Sequence, residues 1–190
     1  MYDPNTACVS FAGNERIAQG PLVDVARATK ERIDAGEAET ILIFDAKTSR
    51  HIEVDFRGSV AEVVERLSAG MSEGPRGRGR PKLGVVGKEV TLLPRHWEWL
   101  DAQPGGASVT LRKLVEHARR DPAVEVREAQ ESAYRFMLAV AGNQPGFEAA
   151  IRSLYAGRAS QFAESTEAWP CDVREHAQAL AAPTFSGQGA

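Results

Sequence analysis

The sequence predicts a helix-rich α+β fold made of a small ββαββα unit, a basic linker, a strand-helix-helix unit and a run of C-terminal helices. Three observations carry this. Alternating or β-branched runs are confined to the first sixty residues and to residues 88–93. Apolar residues at helical spacing dominate the chain after Pro94. Between these, residues 68–87 hold six glycines, two prolines and four basic residues without any periodicity.

The first unit, residues 1–69, opens with a hairpin, residues 8–12 and 16–19 turning at Gly13-Asn14. Leu22, Val25, Ala26, Thr29 and Ile33 then recur at helical spacing, and Gly36 stops the helix they define. A β-branched run over residues 40–45, a turn at residues 47–49 and strict alternation over residues 51–56 predict a second hairpin. Ser59 followed three residues later by Glu62 is a capping-box signature for a helix over residues 60–67, with Val60, Val63, Val64 and Leu67 facing the sheet. No crossover is long enough to demand a parallel sheet.

Residues 70–87 read as the linker, too poor in apolar surface to fix a fold. After it come a strand over residues 88–93, Pro94 at a first helical turn, and a helix to about Ala102 that buries Trp97 and Leu100. A turn at residues 103–107 leads to Ser108, expected to cap a helix whose Leu111, Leu114, Val115 and Ala118 form its core stripe, which closes the strand-helix-helix unit, residues 88–120. The helical region, residues 121–182, opens at Asp121-Pro122 with Val126, Ala129, Ala133, Phe136, Met137 and Val140 as its first stripe. Helices over residues 147–156, 159–168 and 170–181 follow, and residues 183–190 read as a disordered tail.

Composition narrows the function classes. A hydrophobic fraction of 43% with 26% charged residues belongs to a globular chain, and no apolar run approaches the roughly 20 residues that span a bilayer. With no leader-like start, the expected location is the cytoplasm, with no membrane partner. Cys8 and Cys171 have no CxxC or Cys/His spacing, so neither a disulfide framework nor a zinc knuckle is indicated. Net charge is −3, but its distribution is uneven. From Pro75 to Arg120 ten Lys/Arg stand against four acids, a local +6 that leaves −9 for the rest.

The steepest part of that asymmetry is Pro75-Arg-Gly-Arg-Gly-Arg-Pro-Lys82. Arginine is permanently charged, glycine permits close backbone approach and proline holds an extended path, a combination suited to a narrow A·T-rich minor groove. Residues 77–82 resemble the AT-hook, which centres on Arg-Gly-Arg-Pro. That resemblance implies groove contacts by Arg78 and Arg80 and phosphate contacts by Arg76 and Lys82. A solvated charged linker is the alternative. A phosphate-cradling loop is disfavoured, because GxxxxGK[ST] is absent.

A single strand with two short helices cannot close a core, and two copies pairing their strands would form a ribbon that fits the major groove. Val90-Thr-Leu-Leu-Pro94, Gly105-Gly-Ala-Ser108 and Leu111-Arg-Lys-Leu-Val115 resemble the ribbon-helix-helix family of dimeric bacterial DNA-binding proteins. The resemblance implies a homodimer whose second-helix N-terminus, at Ser108, Val109 and Thr110, grips a phosphate, with Arg112 and Lys113 beside it. The strand departs from the family: Glu89, Thr91 and Leu93 face outward in one phase, and Lys88, Val90 and Leu92 in the other. Backbone binding without strong sequence preference is therefore expected. A helix-turn-helix reading, with residues 108–120 as recognition helix, and a reading in which both helices join the C-terminal bundle stay open.

Over its length the chain also resembles an uncharacterised bacterial family, domain of unknown function 2239. The resemblance lies in residues 41–44 with Phe56-Arg57-Gly58, residues 79–86 running into residues 90–99, and Trp169-Pro170, and it implies no activity.

No catalytic constellation is legible. His51, His96, His117 and His176 fall in four different elements and read as surface or helix-end residues, without HxxxH or HExxH. GxSxG and dinucleotide fingerprints are absent. Asp45, Glu53, Asp55 and Glu62 are the carboxylates that could cluster as acid or base. Trp97, Trp99, Phe136, Phe147, Tyr155, Phe162 and Trp169 could line an effector cavity, although core packing is the better reading of their spacing. The expectation is a non-enzymatic, cofactor-free, dimeric protein that binds double-stranded DNA. It would be a transcriptional regulator or nucleoid-associated protein, with a possible small-molecule effector of unknown kind. A protein-interaction or adaptor module with a basic linker is the alternative, and a small hydrolase or transferase the third reading.

Overall fold

Cys8, Val9, Ser10, Phe11 and Ala12 are all buried, so both faces of one strand are covered, and that double burial organises the first unit. The structure is a computed structural model that describes residues 3–69 and 88–186. Its strand β1 (Ala7–Ala12) lies at the centre of a three-stranded antiparallel sheet, between β2 (Glu15–Pro21) and β3 (Ile41–Asp45). Helix α1 (Leu22–Asp34) follows β2 directly, and α2 (Val60–Ala69) packs against it. Alternate side chains of β1 serve opposite layers. Cys8, with Ile43 and Ile52, meets Leu22 and Val25 of α1. Val9 and Phe11, with Phe44, turn the other way and enter the larger core.

That larger core is supplied by the end of the chain. Helices α5 (Pro122–Val140), α6 (Phe147–Tyr155), α7 (Ala159–Thr166) and α8 (Cys171–Phe185) contribute Ala133, Phe136, Met137, Leu154, Phe162, Val173 and Ala177 to it. Phe136 is its hinge point, with ring centroids 5.1 Å from Phe11, 5.7 Å from Phe44 and 4.6 Å from His176. The amino-terminal and carboxy-terminal stretches, separate in the sequence reading, thus form one unit, Met1–Ser72 with Glu125–Ala190. The order of that unit is sheet between two helical layers.

The second predicted hairpin stops after one rung: Phe44 and His51 form an antiparallel bridge, with Asp45 N–H donating to the Arg50 carbonyl at 2.9 Å and Ile52 N–H to the Ile43 carbonyl at 2.8 Å, and residues 52–57 are not a strand. The turn itself is tied to α5: Ser49 Oγ lies 2.9 Å from Ser132 Oγ, and Arg135 Nη1 donates to the Thr48 carbonyl at 2.7 Å. The Asp55 and Arg57 carbonyls accept from Arg66 Nη2 of α2 at 2.7 and 2.5 Å instead of from a neighbouring strand. The order is therefore ββαβα, yet the alternation is kept in burial, because Ile52 is buried and Val54 and Phe56 half-buried.

The carboxy-terminal end also differs from expectation. Pro183, expected to begin a disordered tail, lies inside α8, where Thr184 is buried and Phe185 packs its ring 5.5 Å from Phe162. Burial of an aromatic ring carries the helix one turn past its predicted end.

Within the second unit, Glu73–Val124, the described elements are α3 (Pro94–Asp101) and α4 (Gly106–Arg119). Pro94 occupies the first turn of α3, as its missing N–H favours. Residues 88–93 are not a strand and have no partner strand among the described residues, which departs from the expected strand. A lone strand has no ladder to join.

Candidate nucleic-acid interface

The expected interface falls into two parts. Arg76, Arg78, Arg80 and Lys82, the AT-hook-like arm, lie outside the described residues. Lys88, Thr91, Ser108, Val109, Thr110, Arg112 and Lys113 are described, and all belong to the second unit.

Helix α4 starts two residues before the expected cap. Gly105, at φ 93°, is its N-cap, a left-handed conformation that glycine adopts without strain, and Ser108 is the third helical residue. The shift changes which N–H groups are available. In an α-helix the N–H groups of the first turn lack intrahelical acceptors, whereas those of Val109 and Thr110 reach back to residues 105 and 106. Gly106 N–H is used by the Gln103 carbonyl at 2.9 Å. Ala107 and Ser108 are therefore the first-turn residues of α4 whose N–H groups lack an intrahelical acceptor, whereas Val109 and Thr110 lie one step further into the helix. Thr110 is moreover buried. The Ser108 hydroxyl accepts from Arg112 Nη2 at 3.1 Å, and Arg112 Nε donates to the Ser108 carbonyl at 3.2 Å, so this guanidinium is folded back over the first turn of α4.

The basic side chains divide by commitment. Arg119 and Arg120 share Glu116, at 3.1 and 3.9 Å, in exposed pairs that hold little energy. Lys88, Arg95 and Lys113 are exposed and make no ion pair with a described residue. Three cations thus stay available to an external anion.

The apolar stripe of α4 is not covered as expected. Leu114 and Val115 are 47% and 55% exposed, Trp97 and Trp99 of α3 37% and 52%, and Val90 and Leu93 53% and 49%, while Leu100 is buried. Six of the eight large exposed hydrophobics among the described residues belong to this unit.

Three of the four candidate carboxylates are engaged locally. Asp45 accepts from Lys47 N, Thr48 N and Thr48 Oγ1 at 3.0, 2.7 and 2.8 Å, closing its turn. Asp55 is held well below the usual carboxylate range by Arg57, whose Nη2 lies 2.6 Å away. Glu62 accepts from Ser59 N–H and Oγ–H at 2.7 and 2.8 Å, which lowers its pKa, while Ser59 Oγ receives Glu62 N–H at 3.3 Å. These carboxylates serve turns and caps and do not assemble as an acid–base cluster.

His176 corrects a reading of the sequence. Expected at a surface or helix end, it is 5% exposed, ringed by Phe11 and Phe136, with Nε2 lacking a hydrogen-bond partner. Burial, assisted by nearby Arg16, lowers its pKa to about 4. Its signal was present in the spacing Val173, His176, Ala177, Ala181, all buried on one face of α8. Phe136, Phe162 and Trp169, candidates for a cavity lining, are core residues, and Trp169 Nε1 donates to the Pro145 carbonyl at 2.7 Å. Among the described residues no group of three His, Cys, Asp or Glu is placed to hold a metal, and no helix is long and apolar enough to cross a membrane.

Residues 7–181 match the model of a bacterial family described as "Uncharacterized protein conserved in bacteria (DUF2239)". The chain belongs to this family. Membership covers the sheet, the basic segment, α3, α4 and most of α8, so both units lie within the family's span. No curated protein and no solved structure matches the chain.

Proposed function

We propose that this member of the family is a DNA-binding protein that acts as a homodimer and carries out no catalysis. The observation that supports the reading is one of charge. A segment of net +6 sits in a chain of net −3, and within it Lys88, Arg95 and Lys113 stand exposed without ion-pair partners. Exposed, uncompensated cations attract phosphates and release the counterions condensed on them. Four of the positive charges of that segment belong to the arm at residues 75–82. Dimerisation follows from the second feature, the exposed Val90, Leu93, Leu114 and Val115, which a second copy would cover while its residues 88–93 supply the missing strand partner. A regulator or nucleoid-associated protein of this kind works with the cytoplasmic chromosome and contacts mainly the backbone.

The adaptor reading keeps one observation of its own, since the same exposed apolar side chains suit a different protein partner. A titration separates the two. Fluorescence anisotropy with duplex DNA should give binding that weakens as salt rises, with a log–log slope that falls when Arg78 and Arg80 become alanine and falls by about 1 for Lys113→Ala. No detectable binding at about 100 mM salt overturns the DNA reading in favour of the adaptor.

A further inference from the structure

We draw no further inference here: the strongest candidate, the exposed aromatic surface patch of α3 at Trp97 and Trp99, carries none, because nothing in the structure shows what covers it.

Discussion

At the scale of single residues, the group whose ionisation the fold controls most is His176. Its imidazole is enclosed by Phe11 and Phe136, lacks a partner at Nε2 and has its pKa lowered to about 4. A lowered histidine pKa means that the folded state resists the proton that the unfolded chain, titrating near 6.5, accepts. The sign is therefore that stability is highest above pH 6.5, falls as pH drops towards about 4, and stops changing on this account below that. The full loss is on the order of 3 kcal/mol. Urea midpoints for the wild type and His176→Leu should converge at neutral pH and separate at pH 5, with the variant the less acid-sensitive. Parallel pH profiles would show that the proton is taken up elsewhere. The spacing of α8 contained this residue, but a histidine at helical spacing reads equally as a helix-surface residue. Only the approach of Phe11, 165 positions earlier in the chain, distinguishes the two.

At the scale of elements, two local devices should show in stability. Ser59 and Glu62 exchange hydrogen bonds across the first turn of α2, as their spacing indicates, so Ser59→Ala should cost about 1 kcal/mol in urea unfolding. Gly146 precedes α6 at φ 78°, and a Cβ there would lie 2.5 Å from the Ser165 carbonyl oxygen. Gly146→Ala therefore meets both backbone strain and a clash with main chain, and should cost at least about 2 kcal/mol, whereas Gly36→Ala, with open space around it, should cost only the strain. A similar loss for both would remove the clash from the account. The first hairpin, α1, α2, α3 and α5 to α8 are legible in the sequence because caps and periodicities act within a few residues. The strand expected at residues 51–56 is a misreading of the same kind of signal. Its alternation is real and reflects burial, but pairing with β3 ends at Ile52, and further on the Asp55 carbonyl accepts from Arg66 of α2. The cap of α4 slips from Ser108 to Gly105 because glycine accepts a positive φ that the sequence reading assigned to the turn. Of the expected DNA contacts, Lys88, Arg112 and Lys113 were readable as exposed cations. The first-turn N–H groups were not, because they depend on which residue begins the helix.

At the scale of the whole molecule, the feature least visible in the sequence is that the two ends of the chain build one core. Val9, Phe11 and Phe44 of the sheet are buried in the same cluster as Phe136, Leu154, Phe162 and Val173, and Arg16 N–H donates to Asp172 Oδ2 at 2.9 Å across 156 positions. Periodicity identifies each apolar face but cannot name the face it meets, so the sequence reads as two separate regions. The consequence concerns autonomy. Cut from the helices, residues 1–72 would leave one face of a three-stranded sheet, with two phenylalanines, in water. Residues 125–190 alone would expose the complementary surface of α5 and α8. Neither fragment should show a cooperative urea transition, whereas an equimolar mixture should regain one at a midpoint that rises with concentration, as mass action requires of two pieces that share a core. Phe136→Ala in the intact chain should destabilise by about 3–5 kcal/mol, because it empties the site where sheet, α5 and α8 meet. A cooperative transition by residues 1–72 alone, with a midpoint unaffected by the second fragment, would mean that the sheet and α1 are self-sufficient and that the helices only shield them.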